Sequence, residues 1–248
     1  MKHFLTIAFL ICLTTVSGQR QKPKNLAGKF SGQSRRFHFG FSLGINQASF
    51  RFDNKANLFS YDSLLTINSK PQTGFNLAIV SSLHITNNWK LRFVPALSFQ
   101  DRPMEYIYLK SDQTFEPLDY RVEATYVDFP LLFKWRTDRI NNIAPYVIGG
   151  GQYSVNMQSD AGIDGNLNII KTKRWGASYI VGTGIDFFLP YFKFGLELSL
   201  QNGITNIFIP SDKTYVFGAP EPPDNKTYSH PLNSLKNRTW LLSLTFEG

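Results

Sequence analysis

From Phe37 the chain alternates. Phe37, Phe39, Phe41, Leu43 and Ile45 are large and apolar, and His38, Gly40, Ser42 and Gly44 between them are small or polar. Successive side chains of a strand point to opposite faces, so this stretch predicts a strand with one greasy face and one crowded but wettable face. The pattern returns seven more times. Residues 73–85 set Phe75, Leu77, Ile79, Leu83 and Ile85 against Asn76, Ala78, Ser82 and His84. Residues 89–100 set Trp89, Leu91, Phe93, Leu97 and Phe99 against Lys90, Arg92, Ala96, Ser98 and Gln100. In 126–136, Val127, Phe129, Leu131, Phe133 and Trp135 oppose Asp128, Lys134 and Arg136. Residues 145–155 form a fifth strand whose Gly149, Gly150 and Gly151 leave its facing open. In 175–187, Tyr179, Val181, Ile185 and Phe187 oppose Gly182, Gly184 and Asp186. The cleanest alternation is 192–201, with Lys193, Gly195, Glu197, Ser199 and Gln201 on the polar face, and 239–247 closes the set with Trp240, Leu242, Leu244 and Phe246.

Each repeat is about the length of a tilted membrane-crossing strand, roughly nine to eleven residues. The connections alternate long and short: 53–72, 101–123, 156–174 and 202–236 are long and polar, with Tyr106-Ile107-Tyr108 a candidate strand extension beyond the bilayer, and 86–88, 137–144 and 189–191 are short. Short turns on one side and long loops on the other are the pattern of an outer-membrane barrel that starts from the periplasm. Trp89, Trp135 and Tyr191 fall near the short turns, and Tyr153, Trp175 and Trp240 near the long loops, where two aromatic girdles would lie. A soluble up-and-down barrel would turn the apolar face inward, and these aromatics are too bulky for one eight-stranded lumen. The expected fold is therefore all-β, an eight-stranded antiparallel up-and-down transmembrane β-barrel spanning 37–248. Pro95 and Pro130 fall in mid-strand, where each lacks an N–H for the ladder, and β-bulges are expected there.

Composition changes this picture little. The chain begins Met1-Lys2-His3, runs apolar from Phe4 to Val16 and reaches Ser17-Gly18, which describes a secretory signal peptide over 1–18. A signal-anchor is the alternative; a lipoprotein signal at Cys12 is disfavoured by bulky Ile11 before it. Cys12 is the single cysteine, so the chain beyond the signal has no disulfide framework. No other run approaches the roughly 18 apolar residues of a helical span. The formal charge of +8 sits at the front: Lys2 leaves with the signal, and Arg20, Lys22, Lys24, Lys29, Arg35 and Arg36 fill a stretch without acids, leaving +1 from Phe37 onward. Residues 19–36 read as a basic, disordered periplasmic lead, either simply solvated or contacting anionic headgroups or an acidic partner.

On the wettable face, Lys90, Arg92, Lys134, Arg136 and Lys193 stand against Asp128, Asp186, Glu197 and Glu247. An unpaired buried charge is costly, so mutual pairing inside a narrow lumen is the expectation, with a selective pore as the alternative. His38 and His84 both fall at the short-turn end and read as interior fillers; Ser229-His230 lies among prolines with no orienting acid. No catalytic, cofactor-binding or metal-binding residue is assigned, and the chain reads as a non-enzyme without cofactor. Asp160, Asp164 and Asn166 hint at a calcium loop, but Lys171 stands where a bidentate Glu belongs, and a turn is expected. Neither a phosphate-cradling glycine loop nor a basic–aromatic stripe is present, which argues against nucleic acid and a small-molecule substrate.

Four phrases carry a resemblance. Phe37-His-Phe-Gly-Phe-Ser-Leu-Gly-Ile-Asn-Gln47, Phe93-Val-Pro-Ala-Leu-Ser-Phe99, Asp128-Phe-Pro-Leu-Leu-Phe-Lys134 and Leu242-Ser-Leu-Thr-Phe-Glu247 are similar to the outer-membrane β-barrel family of Bacteroidetes, and within it to the PorT/SprT group. The resemblance implies an accessory outer-membrane component of type IX protein secretion, coupled to gliding motility, with outer-membrane lipid and other secretion-system proteins as partners. The N-terminus and short turns would then be periplasmic and the long loops extracellular. The alternative is a general outer-membrane anchor or adhesion module acting through those loops.

Overall fold

The structure, a computed structural model, describes residues 36–54, 64–109, 114–158, 172–189, 191–209 and 232–248. The signal, nearly all of the basic lead, the Asp160–Lys171 stretch and Ser229-His230 lie outside the described residues. The described residues form ten strands: β1 (Phe37–Asn54), β2 (Leu64–Ser69), β3 (Gln72–His84), β4 (Trp89–Phe93), β5 (Ala96–Leu109), β6 (Phe115–Arg136), β7 (Ile143–Asn156), β8 (Trp175–Phe188), β9 (Lys193–Gly203) and β10 (Leu232–Glu247). All pairings are antiparallel, and β1 bonds both to β10 and to β3, which closes the sheet into a ring. Because β4 and β5 lie end to end between β3 and β6, the ring has eight staves in sequence order, an up-and-down barrel.

The wall is apolar outside and polar inside, the reverse of a soluble core. Phe39, Ile45 and Ile79 are 64%, 62% and 64% exposed, whereas Lys134, Asp186 and Arg92 are 1%, 1% and 2% exposed. A continuous apolar band of this extent is not stable against water. Neighbouring outward rings stack across strands, Phe41 on Phe246 and Phe75 on Phe99, with centroids 4.9 and 4.4 Å apart. The fifth stave, open in the sequence, is settled by Ala144, Tyr146, Ile148, Gln152 and Ser154, which are buried toward the lumen, while Val147 and Tyr153 face out.

Pro95 and Pro130 do not sit at bulges. Phe93↔Leu131 and Ala96↔Asp128 keep one register across the interruption at 94–95, and Pro130↔Gln152 lies in an unbroken run. Val94 N–H donates to Pro130 O at 3.2 Å and Ile79 N–H to Pro95 O at 3.0 Å. The return bond of each pair is missing, because proline has no N–H. The wall gives up two ladder bonds instead of inserting residues, and the third stave divides into β4 and β5 there.

At the long-loop end the strands outrun the expected barrel. β5 and β6 pair from Ala96↔Asp128 to Leu109↔Phe115, through residues expected as loop except for the strand extension at Tyr106-Ile107-Tyr108, β10 begins at Leu232 instead of 239, and β2 joins the edge of β5. Inside these extensions Phe50, Leu64, Ile67, Met104, Tyr106, Ile207, Phe208, Leu232 and Leu235 form a buried apolar cluster. Ile207 and Phe208 reach it from the segment after β9, held by Ile207 N–H donating to Leu235 O at 2.9 Å and by Asn206 Oδ1 accepting from Phe208 and Leu235 N–H. The mouth on this side is capped by a small core of ordinary soluble kind.

Candidate functional site

The six candidate girdle residues all lie on the outer face. Trp89 and Trp135 are cross-strand partners at the short-turn end, with Tyr191 the most exposed of the set. Trp240 pairs with Gln47 and Leu200, Trp175 with Val155, and Tyr153 with Ala177, all nearer the long-loop end.

All nine interior charges named from the sequence occupy lumen-facing positions, and six of them make one network at the short-turn end. Arg92 Nη1 donates to Glu197 Oε2 at 2.7 Å, and the same guanidinium lies 3.7 Å from Glu247. Lys134 donates to Asp186 at 2.8 Å; Lys193 pairs with Glu247 and stands 3.8 Å from the second Asp186 oxygen. Tyr146 joins the halves: its hydroxyl donates to Glu197 at 2.9 Å, and the Lys134 ammonium rests 3.3 Å from its ring centroid. The tyrosine fits because its partner across β7–β8 is Gly184, where a Cβ would strike the ring.

Three of the nine stand outside that network. Asp128 lies six residues along β6 from Lys134, about 20 Å at the rise of a strand. There it accepts from Ser98 Oγ at 2.7 Å, and Asn76 donates in turn to Ser98. Lys90 forms no ion pair among the described residues. Arg136 stays at the rim, donating to Asn87 O at 3.2 Å with its guanidinium 5.4 Å from the Phe188 ring centroid. The expected mutual pairing therefore holds for one layer, and the lumen is graded along its axis.

The charge nearest Asp128 on the capped side is Arg102, which the sequence reading left in a loop. It is 1% exposed, sandwiched between Phe50 and Tyr126 with centroids 5.2 and 5.0 Å away, and it donates to the Tyr126 hydroxyl and to Gln100. A usable signal existed: Ser98, Gln100, Arg102, Met104 and Tyr106 continue the inward alternation. Between the ionic floor and the apolar cap remain a cavity of about 40 Å³ beside Asn76, Arg92, Asp128 and Glu197, and one of about 20 Å³ beside Arg102, Tyr126 and Asn237. Each has room for a water or two, and the two share Asp128, Gln152 and Gln201 in their walls.

An antiparallel barrel that is apolar outside, charged inside and closed by β1 on β10 defines a membrane-spanning β-barrel. The chain belongs to the outer membrane protein beta-barrel domain family, whose model matches residues 19–209. Outer-membrane localisation follows from that membership. No curated protein matches the chain. Among solved structures, the outer membrane protein OprG of Pseudomonas aeruginosa is 12% identical, with a TM-score of 0.44 over 86% of this chain and 94% of that one. Ail, the attachment invasion locus protein of Yersinia pestis, solved with the heparin analogue sucrose octasulfate, is 17% identical with a TM-score of 0.38 over 86% and 100%. Neisserial surface protein A is 12% identical with a TM-score of 0.41 over 86% and 96%.

Proposed function

We propose that the chain is a closed outer-membrane scaffold working as an accessory component of type IX protein secretion and the gliding motility coupled to it. The observation that carries the scaffold part is the filled lumen: among the described residues an ionic floor, adjoining cavities of about 40 and 20 Å³ and an apolar cluster occupy the interior. Function then resides in the surfaces at the two ends and not in transport through the barrel. The secretion role is supported by the four phrases beginning at Phe37, Phe93, Asp128 and Leu242, and the partners it calls for are other proteins of that secretion system. A non-catalytic role belongs to the same reading; the two described histidines lie with ring centroids 4.6 Å apart, and His38 Nδ1 faces Gly248 O. Clean deletion tests the reading: secretion of reporter cargo is expected to fail and to return with the gene in trans. Normal secretion would leave the second reading, a general anchor or adhesion module acting through the long loops, which the family membership favours on its own.

The same proposal places the short turns in the periplasm. A protease-site tag at 55–63 or 211–231 is expected to be cut on intact cells, and one at Asn87 to be protected. The reverse pattern would invert the orientation.

A further inference from the structure

Where the apolar wall ends at the long-loop end, the seam between β1 and β10 carries three cations on its outer face. Asn46, Ala48 and Phe50 on β1 and Leu235 and Thr239 on β10 are buried, so the residues between them point outward. Read up the wall, the outward rows are Ile45 with Leu242, Gln47 with Trp240, Ser49 with Arg238 and Arg51 with Lys236. Ile45 and Leu242 are exposed in the apolar band, Trp240 stands at its border, and the cations begin one row beyond. Arg51 and Arg238 are exposed and Lys236 is half-buried. Arg51 and Lys236 are direct cross-strand partners, and Arg238 lies two residues along β10, about 7 Å at the rise of a strand. None of the three forms an ion pair among the described residues. The next acid in the column, Asp53, accepts from Ser234 Oγ at 2.7 Å. The positive charge is local to this seam. On β5 the outward positions beyond the wall include Asp101 and Glu105, and Glu105 holds Lys70 at 2.7 Å.

Like charges set directly opposite one another on a sheet are destabilising. Arg51 faces Lys236 with Arg238 beside them, and that repulsion is relieved when an anion sits among the three. We propose that Arg51, Lys236 and Arg238 hold the phosphate of a membrane lipid whose acyl chains lie on the apolar wall below. Three features favour a lipid over a soluble anion. The cations follow the apolar rows without a gap, so one amphiphile meets both. Trp240 stands between the two, at the level where an indole marks the boundary of hydrocarbon and headgroups. Arg238 is only about 7 Å further along the strand, and less along the bilayer normal because barrel strands tilt, which is the depth of a phosphate. Gln47 and Asn202, the latter paired with Arg238 across β9–β10, add neutral hydrogen-bonding groups around the same spot. The site requires only that the wall face lipid. Which leaflet it serves follows the orientation proposed above, and the secretion role does not enter.

The test uses the full chain in phosphatidylcholine bilayers, with Trp89→Phe, Trp135→Phe and Trp175→Phe leaving Trp240 as the reporter. Quenching of Trp240 by brominated phosphatidylglycerol is compared with quenching by brominated phosphatidylcholine, each added as a minor component. A preference for phosphatidylglycerol of about tenfold is expected, and Lys236→Gln is expected to lower it about fivefold, the scale of one cation at an anionic surface. Arg51→Gln/Lys236→Gln/Arg238→Gln is expected to bring it to parity, and Lys236→Arg, which keeps the charge, to retain it. Urea midpoints of the chain with its native tryptophans separate lost binding from misfolding. In pure phosphatidylcholine Lys236→Gln is expected to hold or raise the midpoint, because it relieves the like-charge pair. With phosphatidylglycerol present it is expected to lower the midpoint, because the parent is stabilised by a ligand that the variant loses. Equal quenching by the two lipids in the parent, a preference that survives the triple variant, or an equal midpoint shift in both bilayers overturns the proposal. Loss of the preference on adding millimolar inorganic phosphate would make this a free-anion site and overturn the lipid assignment. These measurements use purified protein, so their failure is distinguishable from a failure of the secretion role.

Discussion

Glu197→Gln is expected to destabilise the barrel by about 3 kcal/mol, the lower end of what breaking a buried ion pair costs. Glu197 receives both the Arg92 guanidinium and the Tyr146 hydroxyl, at 2.7 and 2.9 Å, and both donors are buried. The amide returns a weaker acceptor and leaves the arginine charge facing only Glu247 at 3.7 Å, a carboxylate that Lys193 already holds. Arg92 Nε has no partner even in the parent, so the site has little reserve. The matching result is recovery: Arg92→Met/Glu197→Leu removes both charges and should unfold within about 1 kcal/mol of the parent, since a buried pair rarely outperforms well-packed apolar residues. Urea titrations of the barrel in lipid measure both. A single variant as stable as the parent would mean that the floor is wet enough to screen Arg92. A double variant no better than the single would locate the loss in Tyr146 instead.

The barrel itself was legible because lipid and lumen impose opposite demands on alternate residues. Where both apply, as in 192–201, every residue declares its face, and the ring of eight staves follows. Legibility ends where the outer face meets water. Beyond Gln100 the outward positions become Asp101, Pro103 and Glu105, and the inward ones become Met104 and Tyr106. The strand continues, but its apolar face has moved inside, as in any soluble sheet. A search for apolar-out repeats stops at that boundary and misses β2, the cap and all of the β5–β6 extension but Tyr106-Ile107-Tyr108. The three glycines of the fifth stave hid Tyr146 for a related reason: glycine carries no face, and the residue that joins the ion pairs lies only three positions before the run.

Alternation also says which face a charge takes but not at what height. Lys134 and Asp128 share a face and a strand, yet a separation of about 20 Å along that strand puts one in the ionic floor and the other among serine and asparagine. Counting charges on the wettable face therefore gave near-neutrality, whereas the short-turn end retains Lys90, Arg136 and Arg139 without ion pairs among the described residues. Pro95 and Pro130 taught the converse lesson. A closed ring holds its register from both neighbours, so losing two hydrogen bonds is easier than shifting a stave.

Leu196→Arg is expected to cost roughly 2–4 kcal/mol in lipid, the range for a cation near the midplane of a barrel's outer surface. Leu196 is the centre of the outward set Phe192 to Leu200, and its cross-strand partners are Leu244 on β10 and Ile185 on β8, each 38% exposed on the wall. Both cross-strand partners are apolar and cannot receive a guanidinium, so the side chain must extend toward an interface or draw water inward. Its penalty should therefore shrink in thin bilayers, where the interface is nearer, and grow in thick ones. Ser199→Arg, three residues on, provides the contrast. Ser199 is buried and lines the cavity of about 40 Å³. Arginine there overfills the lumen, and the strain, on the order of 1–3 kcal/mol, belongs to protein packing and not to lipid. Refolding both variants into a series of lipids of increasing chain length separates the causes. A slope for Leu196→Arg with a flat line for Ser199→Arg is the expected outcome. Parallel lines would mean that Leu196 does not meet the hydrocarbon, and the assignment of the apolar face to lipid would fail with it.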